Sequence, residues 1–375
     1  MEDSEFEDVL DDWFIESLKT YKDLHVYQLE HPTKVIEWTS EKTVCVAGYT
    51  SSKNEILELR LPLKLLADKN KGLCAERDFK VTYGGFTEGA VCCLTHVPGT
   101  RCLVTNDGLS SDLQLWELGG DDSDVIRRTG LVQGRSLSDG GSKIAAQLSP
   151  SPQVLHGGLI SDVLLTELSS GLTVYKLETQ SSDRLSSLQF ESEAVFLAGC
   201  TNGSVYVADT RTSAAPQLLP PPESSHESVQ WWADVCAGPH LSCSRLIRLS
   251  SVGVAVVSDL RNAGTSVSRA QLDVNAQRSN PDIRVCWSPT LHDYVSVSGF
   301  GGVVEIYNVS SWSTDSQVVA ESLFQHRGHA VSSNVDVSVV VTAHTWHPER
   351  PRTLMSAASD GSVHVWDWVE PHQSA

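Results

Sequence analysis

Ser359-Asp360-Gly361-Ser362-Val363-His364-Val365-Trp366-Asp367, close to the C-terminus, is the stretch whose reading decides the fold. Asp-Gly suits a tight turn, because glycine tolerates positive φ and aspartate bonds its own backbone. Val363 and Val365 then alternate with period two, the pattern of a strand with one apolar face. Upstream, Leu354-Met355-Ser356-Ala357-Ala358 supplies the other arm of a hairpin. One hairpin cannot bury its own core, so the unit must recur if it is to fold.

It does recur. Gly203-Ser204-Val205-Tyr206-Val207-Ala208-Asp209 and Gly253-Val254-Ala255-Val256-Val257-Ser258-Asp259 have the same form, and Gly302-Val303-Val304-Glu305-Ile306-Tyr307-Asn308 repeats it with Asn for Asp. Tyr307 falls where Trp366 falls, and Trp287-Ser288-Pro289 answers Trp346-His347-Pro348 at the same offset. The last units step by about 50 to 60 residues, a little longer than one blade of a propeller of short four-stranded sheets. Seven endings follow, near Leu59, Glu117, Leu168, Asp209, Asp259, Asn308 and Asp367. The reading is all-β: a seven-bladed β-propeller over residues 25–370, preceded by an acidic segment and helix (1–24) and followed by a short tail (371–375). Two stacked sandwiches would not predict the repeated Gly-to-Asp unit.

The expected strands are 35–38, 43–48 and 55–59 in blade one, and 90–94, 101–105 and 113–117 in blade two. Blade three is assigned 143–148, 156–161 and 163–168. Blade four takes 185–190, 194–198 and the Gly203 unit. Blade five takes 229–235, 246–250 and the Gly253 unit. Blade six takes 283–287, 295–298 and the Gly302 unit, and blade seven 345–347, 354–358 and the opening stretch. Fourth strands fall in the variable segments between. A Pro/Ser-rich loop (Pro216, Pro220, Pro221, Pro222, Ser224, Ser225) reads as extended or disordered.

Residues 1–12 carry seven acids and no base, and Leu10, Phe14, Leu18 and Tyr21 follow helical spacing behind them. This predicts a helix packed on the protein's own flank, with docking to a partner as the alternative. His25-Val26-Tyr27-Gln28-Leu29 alternates like a strand, yet it precedes the first blade. A ring leaves no edge open if such a strand completes the last blade, so it is expected beside Val363–Trp368.

The chain of 375 residues has a net charge of −19, with 47 acids against 28 bases. An acidic shell repels phosphates, which argues against non-specific nucleic-acid binding and an RNA-reading role. No run of 18 apolar residues suggests a membrane span, and the acidic N-terminus lacks a signal-peptide pattern. Nine cysteines without a Cys-x-x-Cys pair read as reduced, buried thiols of a cytosolic or nuclear protein, with no zinc framework.

Gly328-His329, Ser356, Asp360 and Trp366-Asp367 together resemble a WD repeat. The resemblance implies that His, Ser, Asp and Trp side chains brace the blade through hydrogen bonds. It assigns Asp360 and Trp366 by position and Ser356 as the strand partner, and leaves His329 and His344 as alternatives for the histidine. Longer runs, among them Asn54-Glu55-Ile56-Leu57, Val154-Leu155-His156-Gly157 and Val365-Trp366-Asp367-Trp368, are similar to one vertebrate branch of the WD-repeat family across essentially the whole chain. That similarity implies a non-enzymatic scaffold without cofactor, a monomeric subunit of a hetero-complex. It implies association with the RNA-cleaving subunits of the Integrator complex and with spindle microtubules. It also implies a largely cytoplasmic location, with spindle pole and cleavage furrow in mitosis and a nuclear fraction.

Chemistry is sparse. His344 and His347 are three apart in a strand and point to opposite faces, so they do not converge on a metal. Gly299-Phe300-Gly301-Gly302 lacks the helix and Gly-Lys-Ser/Thr of a phosphate loop. Asp121-Asp122-Ser123-Asp124 lacks the glycine and closing glutamate of a calcium loop. No Gly-x-Ser-x-Gly occurs. A propeller hydrolase would start its inner strands with carboxylates, His or Arg, whereas Val35, Ala90, Leu185 and Val229 stand there. Aromatic and Arg side chains are the usual anchors of interfaces. Trp231, beside Trp232, is therefore a candidate for partner binding, with burial between blades as the alternative; so are Trp312 and Trp368, just beyond strand ends where exposure is expected, and Arg350 and Arg352, with an ordinary solvated loop as the alternative.

Overall fold

Strands that are apolar on both faces need cover on both sides, and in this chain the sheets cover each other. In the computed structural model, described for residues 13, 15–48, 54–62, 78–120, 123–135, 141–148, 151–223, 229–236, 245–262, 265–274, 283–313, 319–331 and 339–370, seven antiparallel sheets follow one plan. Blade one is Thr33–Ser40, Thr43–Gly48, Asn54–Arg60 and Lys80–Thr87. Blade two is Cys93–His96, Cys102–Asn106, Leu113–Glu117 and Arg127–Val132. Blade three is Lys143–Gln147, Gln153–Gly157, Leu164–Glu167 and Thr173–Lys176. Blade four is Leu185–Phe190, Val195–Cys200, Val205–Asp209 and Gln217–Leu219. Blade five is Trp231–Cys236, Arg245–Ser250, Val254–Asp259 and Ser266–Leu272, with Val319–Ala320 added in parallel at its rim. Blade six is Arg284–Trp287, Tyr294–Ser298, Val304–Asn308 and Phe324–His326.

Blade seven holds Val341–Trp346, Thr353–Ala358 and Ser362–Trp368, and its outer strand is Tyr21–Gln28 from the other end of the chain. The register sets His25 opposite Val365 and Tyr27 opposite Val363. The expected closure is present, but its strand starts at Tyr21, a residue whose spacing pointed to the helix. The buried partner explains this: the Tyr21 hydroxyl lies 2.7 Å from His326 Nδ1, and its ring stands edge-on to Phe324 and Trp366. Of the helix, Trp13 and residues 15–20 are described; Leu10 and Phe14 lie outside the described residues. Leu18 is exposed, and Trp13, Ser17 and Thr20 instead turn toward blade six.

Blade three departs most from expectation. Its second strand is Gln153–Gly157, three residues ahead of the predicted start, and Ile160–Asp162 is a short 3-10 turn. Val154 and Leu155 are both fully buried, so no alternation marks the strand. The Pro-rich segment contains an outer strand, Gln217–Leu219, between Pro216 and Pro220. Proline lacks an N–H and is tolerated at such an edge. Ser224 and Ser225, Asp121 and Asp122, and residues 1–12 and 371–375 lie outside the described residues. The cysteines are not uniformly buried, since Cys92 is exposed.

The cores lie between blades rather than within them. Ile36, Val44 and Val46 of blade one pack with Ala343, Met355 and Val363 of blade seven, and Leu249 and Val257 of blade five with Val285 and Val297 of blade six. Buried polar groups on the inner and second strands tie neighbours together. Thr342 Oγ1 donates to the Thr33 carbonyl at 2.5 Å, across the junction of blades seven and one. Trp346 Nε1 donates to the Cys286 carbonyl at 3.2 Å. Arg248, buried in blade five, donates to the Gly203 and Pro220 carbonyls of blade four at 3.1 and 2.6 Å.

Candidate interaction surfaces and the blade-seven network

The turn that opened the sequence analysis is held by a directed chain of hydrogen bonds. Gly361 takes φ +85, the left-handed region that glycine enters freely. Asp360 Oδ1 accepts from the Ser362 amide (2.9 Å) and hydroxyl (2.6 Å). Ser362 Oγ is 2.7 Å from His329 Nδ1, and His329 Nε2 is 2.8 Å from Ser356 Oγ. Trp366 Nε1 donates to Ser356 Oγ at 3.3 Å. Because Ser362 donates to a carboxylate, its oxygen accepts from His329 Nδ1–H, so Nε2 accepts from Ser356. Each donor thus points toward Asp360, which ends the chain.

His329 is therefore the histidine in this network, carried by the short helix Gly328–Val331 ahead of the inner strand. His344 is not part of it. It stands on the inner strand and faces blade six, with Nε2 2.8 Å from Ser296 Oγ and Nδ1 2.7 Å from Ser298 Oγ. The alternation of an inner strand sends this side chain to the neighbouring blade. His347 caps the turn before Pro348: its Nδ1 accepts from the Glu349 and Arg350 amides, and its Nε2 lies 2.9 Å from the Glu41 carbonyl.

His326, His329 and His364 bring ligand-type nitrogens within 4.8 Å of one another, all buried. The rings of His329 and His364 stack at 3.8 Å with planes 16° apart, so their in-plane lone pairs run parallel and cannot meet on one ion. Both nitrogens of His329 are already engaged, and His326 Nε2 contacts His364 Nδ1 at 2.9 Å. Burial pushes the pKa of each ring down, so all three are neutral, and His364 is lowered to about 4.

The proposed anchors are mostly committed to the fold. Trp231 is 3% exposed, and a Cβ on Gly203 would meet its ring at 2.9 Å. Trp368 is 1% exposed, packed beside Phe324 and Tyr294 with the Arg352 guanidinium above it. Neither is presented to a partner, because the wedge between blades needs large apolar side chains. Trp312 is half-buried, edge-on to Tyr307. Arg350 reaches Asp367 at 3.8 Å and Arg352 reaches Glu370 at 2.6 Å, so neither charge is free.

Two carboxylates on inner strands were not singled out in the sequence. Glu37 accepts from the His96 amide of blade two at 3.1 Å, and Asp234 accepts from Gln189 of blade four and the Trp287 amide of blade six. Burial pushes Glu37 up to about 7 and Asp234 up to about 6. Perturbed carboxylates around a channel are what a hydrolase would show, but these oxygens are spent on ties between blades. The signal was an acid inside an apolar run, Val-Ile-Glu-Trp and Trp-Ala-Asp-Val.

Seven blades, ring closure by the N-terminal strand and a His-Ser-Trp brace in the last blade define a WD-type β-propeller. No family model matches the chain. Comparison with curated proteins finds "Integrator complex assembly factor WDR73" of Danio rerio, 50% identical over 370 residues and 97% of each chain. The Homo sapiens protein of that name is 39% identical over 372 residues, 96% of this chain and 98% of its own. The Xenopus laevis protein is 38% identical over 361 residues, 95% and 97%. The chain belongs to this WDR73 family.

Proposed function

We propose that this chain is a non-enzymatic scaffold that assists assembly of the Integrator complex, binding its RNA-cleaving subunits. The observation that carries this reading is identity of 38–50% over nearly the full length to proteins named Integrator complex assembly factor. The fold agrees with it: inner-strand polar groups serve blade-to-blade ties, which leaves faces and rim for partners. The test is affinity purification of the tagged full-length chain followed by mass spectrometry, then reconstitution with purified RNA-cleaving subunits and determination of stoichiometry. Recovery of those subunits in stoichiometric amount is expected, with one copy of the chain per complex; their absence sinks the proposal. Association with spindle microtubules, and a cytoplasmic location with mitotic spindle-pole, cleavage-furrow and nuclear fractions, rest on sequence resemblance. Microtubule co-sedimentation and live imaging test them, and a chain that stays in the supernatant and never reaches the spindle excludes them.

A further inference from the structure

Positive charge is scarce in this protein, with 28 bases against 47 acids, and part of it is neutralised locally. Arg101 pairs with Glu58, Arg211 with Asp209, Arg261 with Asp259 and Arg352 with Glu370. Two of the described cations that lack an ion pair lie close together in the ring. Lys143 opens the inner strand of blade three, and Arg184 directly precedes the inner strand of blade four. Neither makes an ion pair among the described residues.

Both line one cavity of about 350 Å³, together with Ser142, Asn106, Gln230 and Trp232. The cavity lies where the inner strands of blades two to five begin. Two described acids adjoin lining residues in sequence, and hydrogen bonds fix both: Asp183 accepts from Ser181 Oγ at 2.8 Å, and Asp107 from the Leu109 and Ser110 amides. Trp232 is partly exposed, and the large ring beside unpaired charges offers apolar contact next to electrostatic attraction.

We infer that this cavity docks an acidic segment of a protein partner, with an Asp or Glu carboxylate between Lys143 and Arg184 and an adjacent apolar side chain on Trp232. This deepens the scaffold reading and rests on it. The charge balance selects a peptide carboxylate over a nucleic acid. Two cations match one or two carboxylates, whereas a polyphosphate needs a longer basic track and would meet the field of a chain carrying −19.

A random peptide library panned against the immobilised full-length chain supplies the probe, and fluorescence anisotropy measures the selected peptides. Sequences pairing Asp or Glu with an apolar neighbour are expected. Their affinity should fall at least about tenfold in Lys143→Glu/Arg184→Glu and weaken as salt rises. Lys176→Glu, at an exposed pair on the rim of blade three, should leave it unchanged. Should the double variant lose its native melting transition, Arg184→Gln at an exposed position carries the same test. The inference is overturned if no peptide is selected, if the selected peptides lack acids, or if they bind the charge-reversed chain equally well. Single-stranded RNA binding more tightly than any peptide, and only to the wild type, would also overturn it in favour of a phosphate site. The assay contains no Integrator component. Its failure leaves the assembly proposal standing, and failed co-purification leaves peptide binding standing.

Discussion

Mild acid should destabilise this propeller, and the size of the effect follows from its buried histidines. His156, His326, His329, His344 and His364 are at most 1% exposed. Desolvation lowers all five, His156 and His364 to about 4 and His344 to about 3. A histidine whose pKa is depressed by folding binds its proton first in the unfolded chain. Stability is therefore full above the ordinary value near 6.5 and is lost as pH falls below it. At about pH 5.5 each such group withdraws about 1.4 kcal/mol, and five withdraw about 7 kcal/mol. Glu37 and Asp234 act in the opposite direction. Raised to about 7 and about 6, they take up protons in the fold first and gain stability on acidification. That offset is about 3 kcal/mol. A net loss of about 4 kcal/mol between about pH 7.5 and about pH 5.5 remains, a large share of the usual 5–15 kcal/mol. Urea titrations followed by tryptophan fluorescence at the two pH values measure it. Equal midpoints would refute the reasoning, since they would mean that these rings are not held neutral by burial. His344→Gln should shrink the pH-dependent part of the loss by about 1.4 kcal/mol.

Three further outcomes follow from blade seven. Deleting residues 1–30 removes the strand paired with Ser362–Trp368 and should abolish soluble folded protein; an unchanged melting transition would refute closure of the ring. Trp366→Ala removes a fully buried ring stacked 4.6 Å from His326, together with a hydrogen bond to Ser356. It should cost about 3–5 kcal/mol in chemical denaturation, and loss of partner binding at unchanged stability would contradict the structural role. Gly361→Ala forces an L side chain to φ +85 with Cβ 2.9 Å from Gln28 Nε2, and should lower stability by about 1–2 kcal/mol. A thermal melt matching the wild type would show that the turn is not under this constraint.

What the amino-acid sequence determined is the repeating unit and its count. The Gly-to-Asp units at Gly203, Gly253, Gly302 and Gly361 are local: a turn glycine followed by period-two strand residues, whose conformation and facing follow from backbone geometry alone. The closing strand at His25–Gln28 was legible for the same reason, because an alternating strand outside any blade needs an edge to pair with. The limits were equally physical. Val154 and Leu155 are buried on both faces, so alternation vanished and the second strand of blade three was misplaced. Only the tertiary structure decided which histidine braces blade seven. His329 and His344 both precede Ser356, and the choice depends on which way the inner strand turns its side chains across the interblade seam. It also decided that Trp231 and Trp368 are core and not anchors, since a wedge between blades is formed by residues far apart in the chain. The unpaired Lys143 and Arg184 belong to this second kind. Forty-one residues apart in sequence, they meet in one cavity because adjacent blades begin their inner strands at the same end of the channel.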